Sequence, residues 1–214
     1  MDRTALIDRI AKEVLNQLNK SEVKEEGIKV GISARHVHLS QEDLQVLFGE
    51  GYQLNVLKPL MGDEFAAKES VTIVGPSLRA FENVRVLGPV RKKSQVEISR
   101  TDAFTLKVNP PVRPSGVLEK SESIVVVGPK GSLLLKEGCI IANRHMHMTP
   151  ADAAQYGLND NDYVDVEIRS GKPSRFSGVQ VRVSEKFNTE LHLDTDDGNA
   201  TELKNGDRVF IIKA

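Results

Sequence analysis

The sequence predicts a mainly β protein made of two related β-rich halves with a few short helices. Three observations carry this. From Ile28 onward, short β-branched runs such as IKVGIS, SVTIVG, NVRVLG, QVEIS, SIVVVG, YVDVEI, VQVRVS, ELHLD and RVFIIK alternate with Gly, Pro, Asn and Asp. Many of these runs show the period-two alternation of half-buried strands, and strands this short and frequent build barrels or sandwiches. A motif recurs: GISARHVHLSQED at residues 31–43 and IIANRHMHMTPAD at residues 140–152. Between the two copies, KVNPPVRPSG at residues 107–116 gathers three prolines and a glycine, the strongest internal boundary signal. The expected organisation is residues 1–27 as amphipathic helix and linker, 28–113 as the first domain and 114–214 as the second.

Taken in order, MDRTALIDRIAKEVLNQLNK reads as an amphipathic helix, with Ile7, Ile10, Ala11, Val14 and Leu18 on one stripe. It has no continuous apolar core and no small-residue cleavage site, so it is not a secretory signal. SEVKEEG then reads as a polar linker. The helix either packs on its own domain or a partner copy, or serves as a detachable docking peptide. Each repeat copy that follows joins a His-x-His strand to a helix start. Ser40 with Asp43, and Thr149 with Asp152, have capping-box spacing, and Pro150 takes the favoured first helical position. Gly49 and Gly157 can end the two helices.

Composition removes several function classes. Lys plus Arg is 29 against 30 for Asp plus Glu, a net charge of -1, so no basic excess is available for a nucleic-acid backbone. No apolar run approaches the ~20 residues of a membrane span. One cysteine, Cys139, excludes an internal disulfide framework and a Cys-rich structural metal site, and fits a reducing cytoplasm. It reads as a small buried strand residue and not as a nucleophile. Walker, GxGxxG, GxSxG and HExxH patterns are absent.

Four of the five histidines lie in the repeats. Residues i and i+2 of a strand share a face, so His36 and His38 converge, as do His145 and His147. Two such pairs in matched contexts point to metal binding, since neutral imidazole is the commonest metal ligand. His192 sits in another alternating strand, with Glu190 and Asp194 on its face. Glu97, Glu190, Asp194 and Asp196 are the candidate carboxylate ligands. Arg35 and Arg144 point away from the paired histidines and read as structural ion-pair partners. Arg91, beside Lys92 and Lys93 after a Gly-Pro turn, reads equally as an anion holder or a solvated basic turn.

The combination ISARHVHLS, VRVLGPVRKKSQVEISRTDAF, IIANRHMHMTPADA and LHLDTDDGNA resembles the phosphate propanoyltransferases, the PduL-type phosphotransacylases, from about residue 28 to the C-terminus. The resemblance implies two β-barrel domains with short helices and a dinuclear zinc site between them. It places one zinc on His36, His38 and Glu97, where it also meets the coenzyme A sulfur, and the other on His145, His147 and His192 with waters. It assigns phosphate binding to Arg91 and coenzyme A contacts to Ser33 and Ala34, with Arg85 and Asn199 as further candidates. The implied reaction converts a short-chain acyl-CoA, propanoyl or acetyl, and phosphate to acyl phosphate and CoA. The expected route is direct attack by phosphate without an acyl-enzyme. Residues 1–20 resemble the extensions that carry such enzymes into bacterial microcompartments, which implies shell or cargo partners and a place in the lumen within the bacterial cytoplasm. A homodimer is the expected assembly. The residues themselves leave open a metal-dependent thioesterase, a non-catalytic metal-binding module, and cobalt or iron in place of zinc.

Overall fold

The computed structural model describes residues 27–212. The expected N-terminal helix and most of its linker lie outside this range. The described residues form two closed six-stranded barrels and four short helices. In the first barrel, β2 (His36–Ser40), β4 (Phe65–Val74), β5 (Ala80–Arg91), β6 (Gln95–Glu97), β8 (Glu122–Val127) and β9 (Ser132–Ala142) close in the order β4-β5-β2-β6-β9-β8. A short β3 (Val56–Pro59) adds to β4, and β7 (Val112–Arg113) adds to β9. The second barrel has the order β1-β13-β10-β12-β11-β14, from β1 (Ile28–Ser33), β10 (His145–Met148), β11 (Tyr163–Ile168), β12 (Ser174–Val183), β13 (Glu190–Asp194) and β14 (Arg208–Ile212). The helices are α1 (Gln41–Phe48), α2 (Arg100–Leu106), α3 (Pro150–Tyr156) and α4 (Thr195–Thr201).

The expected division at 113/114 does not follow the strand pairing. β1 runs parallel to β13 in the second barrel, although it precedes the first repeat motif. β8 and β9 lie beyond the proline segment, yet they close the first barrel. Each half thus lends the strand before its RHxH motif to the other half's barrel. The proline segment is not a linker either. Ile141 and Asn143 donate to the carbonyls of Pro111 and Arg113, which dock the segment on the end of β9. Proline fits here because it sits at a sheet margin where a missing N–H costs no ladder bond.

Alternation sets what each strand buries. Val37 and Leu39 point into the first core with Val86, Val96 and Ile73. Met146 and Met148 point into the second with Val30, Val181 and Leu191. Each such side chain contributes about 1.5–3 kcal/mol of burial, and the histidines between them turn to the opposite face. The predicted caps form: Ser40 Oγ accepts from Asp43 N, and Thr149 Oγ1 accepts from Asp152 N, both at 3.1 Å. Their acidic partners do not reach back to close the boxes. Asp43 accepts from Ser94 Oγ and Asp152 from Thr189 Oγ1, which staples each helix to the strand beside its histidine pair. A complete capping box occurs instead at Ser99 and Asp102 on α2. Gly49 and Gly157 end α1 and α3, Gly157 in the left-handed conformation that glycine adopts without strain.

Candidate active site between the barrels

The two halves set their histidines by one pattern. β2 runs parallel to β5 and antiparallel to β6, which places His36 opposite Glu97 and His38 opposite Gln95. β10 runs parallel to β12 and antiparallel to β13, which places His145 opposite His192 and His147 opposite Glu190. Two clusters result, His36–His38–Glu97 and His145–His147–His192, and within each the candidate ligand atoms lie within 4.8 Å of one another. Both line a single cavity of about 560 Å³ between the barrels, with Ser33, Ala34, Arg91, Ser115, Asn143 and Glu190.

Both clusters fit a divalent cation. His36 Nδ1 lies 2.9 Å from the Ala34 carbonyl, and His145 Nδ1 lies 2.8 Å from that of Asn143. A ring hydrogen given to a carbonyl leaves the other nitrogen's lone pair for an ion, the usual support of a metal-ligating histidine. His147 is held from across the cavity, its Nδ1 2.9 Å from the Met61 thioether and its ring stacked on Phe187 at 4.1 Å. Its Nε2 is buried with no hydrogen-bond partner. An orphaned buried imidazole nitrogen beside two other imidazoles is what a metal would satisfy.

The electrostatics favour the ligating forms. Burial lowers His145 to about 4, with the neighbouring His192 adding to the effect. Burial and the two neighbouring imidazoles lower His147 to about 2. His38 also falls to about 2, through burial and then the charges of His36 and Arg91. These rings are neutral at pH 7 and can take an ion without first losing a proton. His36 behaves oppositely: burial works against its charge, but the Glu97 carboxylate overrides this and raises it. Burial works to raise Glu97, and His36 outweighs it and holds the carboxyl well below its ordinary range.

Glu97 is braced on its other side. It accepts from Gln95 Nε2 and, at 3.0 Å, from Ser115 Oγ. Arg91 donates to Ser115 Oγ at 3.1 Å and to Glu64 Oε1 at 2.7 Å, so its guanidinium faces the first cluster. Ser115 was not among the predicted residues. Its proline-rich setting reads as a boundary, and nothing local signals that the segment folds back into the cavity. Met61 and Glu64 carry no local signal for the same reason, since each acts through a partner distant in sequence, whereas Gln95 sits two residues from Glu97 on the same strand face, a spacing that could have pointed to it.

The remaining predicted residues divide. Ser33 and Ala34 line the cavity, but Arg85 and Asn199 do not. Arg85 Nη1 donates to the carbonyls of Ala67 and Lys68 at 3.1 and 2.7 Å, and Asn199 lies exposed on α4. Arg35 and Arg144 form the expected ion pairs, with Asp102 at 2.6 Å and Asp197 at 2.7 Å, and each lies over a phenylalanine ring. Asp194 caps α4, and Asp196 accepts from Thr101 N at 2.8 Å, so neither carboxylate joins a cluster. Cys139 is buried, and burial with the Glu122 charge pushes its thiol up to about 12, which removes it as a nucleophile. No helix among the described residues is long and apolar enough to cross a membrane.

Comparison with known proteins supplies the context for this geometry. The family model for phosphate propanoyltransferase matches residues 29–204. A phosphate propanoyltransferase of Thermotoga maritima is 57% identical over 192 residues, covering 89% of this chain and 91% of the relative. One from Lachnoclostridium phytofermentans is 50% identical, covering 96% of this chain and 98% of the relative. One from Priestia megaterium is 46% identical, covering 94% and 93%.

Proposed function

The chain belongs to the phosphate propanoyltransferase family, and from that premise we propose that it interconverts a short-chain acyl-CoA, propanoyl or acetyl, and phosphate with acyl phosphate and CoA, using two zinc ions. The observation that carries this reading is one cavity shared by two ligand clusters and an arginine linked to one of them through Ser115. His36, His38 and Glu97 would hold one ion, and His145, His147 and His192 the other. When bound, such ions supply Lewis acidity toward the thioester carbonyl and affinity for the departing thiolate.

The protein's own groups do the rest. Arg91 presents a planar fork to phosphate, orients it and offsets repulsion between anions. Ser115 and Glu64 fix the direction of that fork. Ser33 and Ala34, at the rim where β1 ends, are the coenzyme A contacts in this reading. A phosphate oxygen attacks the thioester carbon directly, the C–S bond breaks, and the phosphate proton ends on the CoA sulfur. No side chain is acylated, which suits a cavity whose nearby cysteine is held as a buried thiol. Residues 1–20 are the proposed packaging peptide, directing a homodimer to microcompartment shell or cargo proteins within the bacterial cytoplasm.

The test is an acyl-CoA panel with and without phosphate, following free thiol, on protein of measured metal content. Thiol release that depends on phosphate, with stoichiometric acyl phosphate, is expected. Equal release without phosphate assigns the site to a hydrolase instead, and an acyl group trapped on the protein after acyl-CoA alone removes direct attack.

A further inference from the structure

The two clusters share one register, yet they differ where Glu97 in the first half is replaced by His192 in the second, and at two further places beside that position. Opposite His38 the first half has Gln95, and opposite His147 the second half has Glu190. Beside Glu97 the neighbouring strand β9 carries Ile140, which is fully buried, whereas beside His192 the neighbouring strand β1 carries Gly31. Gln95 is consumed by its surroundings. Its amide donates to Glu97 and Ser115, and its carbonyl oxygen accepts from Gly116 N at 2.8 Å. Glu190 lies in the cavity lining with Oε2 3.1 Å from His192 Nε2. A Cβ at residue 31 would stand 3.0 Å from the Glu190 carboxyl carbon and 3.2 Å from each of its oxygens. The glycine makes the room that the carboxylate occupies.

We infer that Glu190 is a positioning residue for the second metal centre: it accepts the ring hydrogen of His192, fixes the ring's tautomer and orientation, and Gly31 is the position that lets it do so. This rests on the two-ion reading given above. The other rings of the second cluster already have such partners, His145 in the Asn143 carbonyl and His147 in the Met61 sulfur. Glu190 is the only one of the three that brings a full negative charge. A carboxylate behind a ligating imidazole raises its basicity toward the ion, and losing such a partner typically costs 10–100-fold in metal affinity. The first centre has its carboxylate among the ligands themselves, as Glu97. The second is all imidazole, and Glu190 supplies the matching charge one position removed.

The experiment measures zinc affinity by competition with a chromophoric chelator, together with the visible spectrum of the cobalt-substituted protein. Wild type is expected to hold two equivalents. Glu190→Ala keeps the first and weakens the second by 10–100-fold, with a changed cobalt spectrum. Glu190→Gln, which keeps shape and one acceptor oxygen, falls between and guards against a folding defect. Gly31→Ala presses the carboxylate aside by a few tenths of an ångström and weakens the second equivalent by less than Glu190→Ala does, and the Gly31→Ala/Glu190→Ala double variant is no weaker than Glu190→Ala alone, because both act through one contact. Two equivalents of unchanged affinity in Glu190→Ala, or losses that add in the double variant, overturn the assignment. A wild-type chain that binds fewer than two equivalents overturns the two-ion reading instead.

Discussion

Replacing Arg91 separates its proposed work on phosphate from its contribution to the fold. Its ion pair with Glu64 is partly exposed, at 31% and 43%. Such pairs contribute about 0–1 kcal/mol, so the fold loses little. A phosphate dianion held by two charge-assisted hydrogen bonds gains far more, about 1.5–3 kcal/mol per bond. Loss of both therefore raises the barrier from free enzyme and phosphate by about 3–6 kcal/mol, a drop of roughly 10²–10⁴ in kcat/KM for phosphate. Arg91→Lys keeps the charge but not the fork, and should retain one bond's share, a drop of roughly 10–10². Glu64, freed of its partner, adds repulsion toward the incoming anion, so Arg91→Ala/Glu64→Gln should recover part of the loss. The assay is initial rate against phosphate at saturating acyl-CoA, with melting temperature and metal content as controls. An Arg91→Ala enzyme with unchanged phosphate dependence refutes the assignment. So does one that loses metal or fold along with activity, because the arginine would then be holding up the site and not the substrate.

Metal-free protein should lose stability on acidification. His145 and His147 are held to about 4 and about 2 by burial first and then by neighbouring imidazoles, whereas unfolded they return to about 6.5. The unfolded chain then binds more protons, so stability is full above pH ~6.5 and falls as pH drops toward 4, against the opposing contributions of His36, raised by the Glu97 carboxylate, and Asp194, raised by burial. A melting temperature of chelated protein that rises between pH 7 and 5 contradicts this. Gly75→Ala would set a Cβ 2.0 Å from the Leu106 carbonyl oxygen, a backbone clash remote from the cavity. Overpacking of this kind costs ~1–3 kcal/mol or more, so several degrees of melting temperature should be lost while the phosphate KM stays put. Deleting residues 1–20 should leave turnover and melting unchanged and abolish co-purification with shells; loss of folding would make the segment structural.

The sequence made one level of the site readable and hid the next. Histidines two apart in a β-branched run announce a shared face, and a cap residue with an acidic partner three positions on announces a helix start. Both signals depend only on local geometry, and both hold at His36, His38, His145, His147, Ser40 and Thr149. Which strand lies beside which is not local. IKVGIS has the same alternation whether it pairs within its own half or the other, so nothing in it tells that Lys29 meets Glu190 and Ile32 meets Leu193. The segment 107–116 misleads for a related reason. Its prolines report that the backbone leaves regular structure there, and they are silent on whether it leaves the protein's interior. It does not, and Ser115 and Gly116 end up bonded to Glu97, Arg91 and Gln95.

The strand exchange explains why two barrels share one site. β1 ends at Ser33 in the second barrel and β2 begins at His36 in the first, with only Ala34 and Arg35 between them. β9 ends at Ala142 in the first barrel and β10 begins at His145 in the second, with only Asn143 and Arg144 between. Three peptide steps span at most about 11 Å, so each crossing binds the barrels edge to edge where a histidine pair starts. The crossing residues also serve the site. The carbonyls of Ala34 and Asn143 take the ring hydrogens of His36 and His145, and the side chains of Arg35 and Arg144 lock to Asp102 and Asp197 at the starts of α2 and α4. Separate barrels joined by a flexible linker would have to hold two clusters in register through a noncovalent interface alone. Here the chain itself passes through the junction twice, so the spacing of the clusters is set by backbone, and the cavity between them inherits that rigidity.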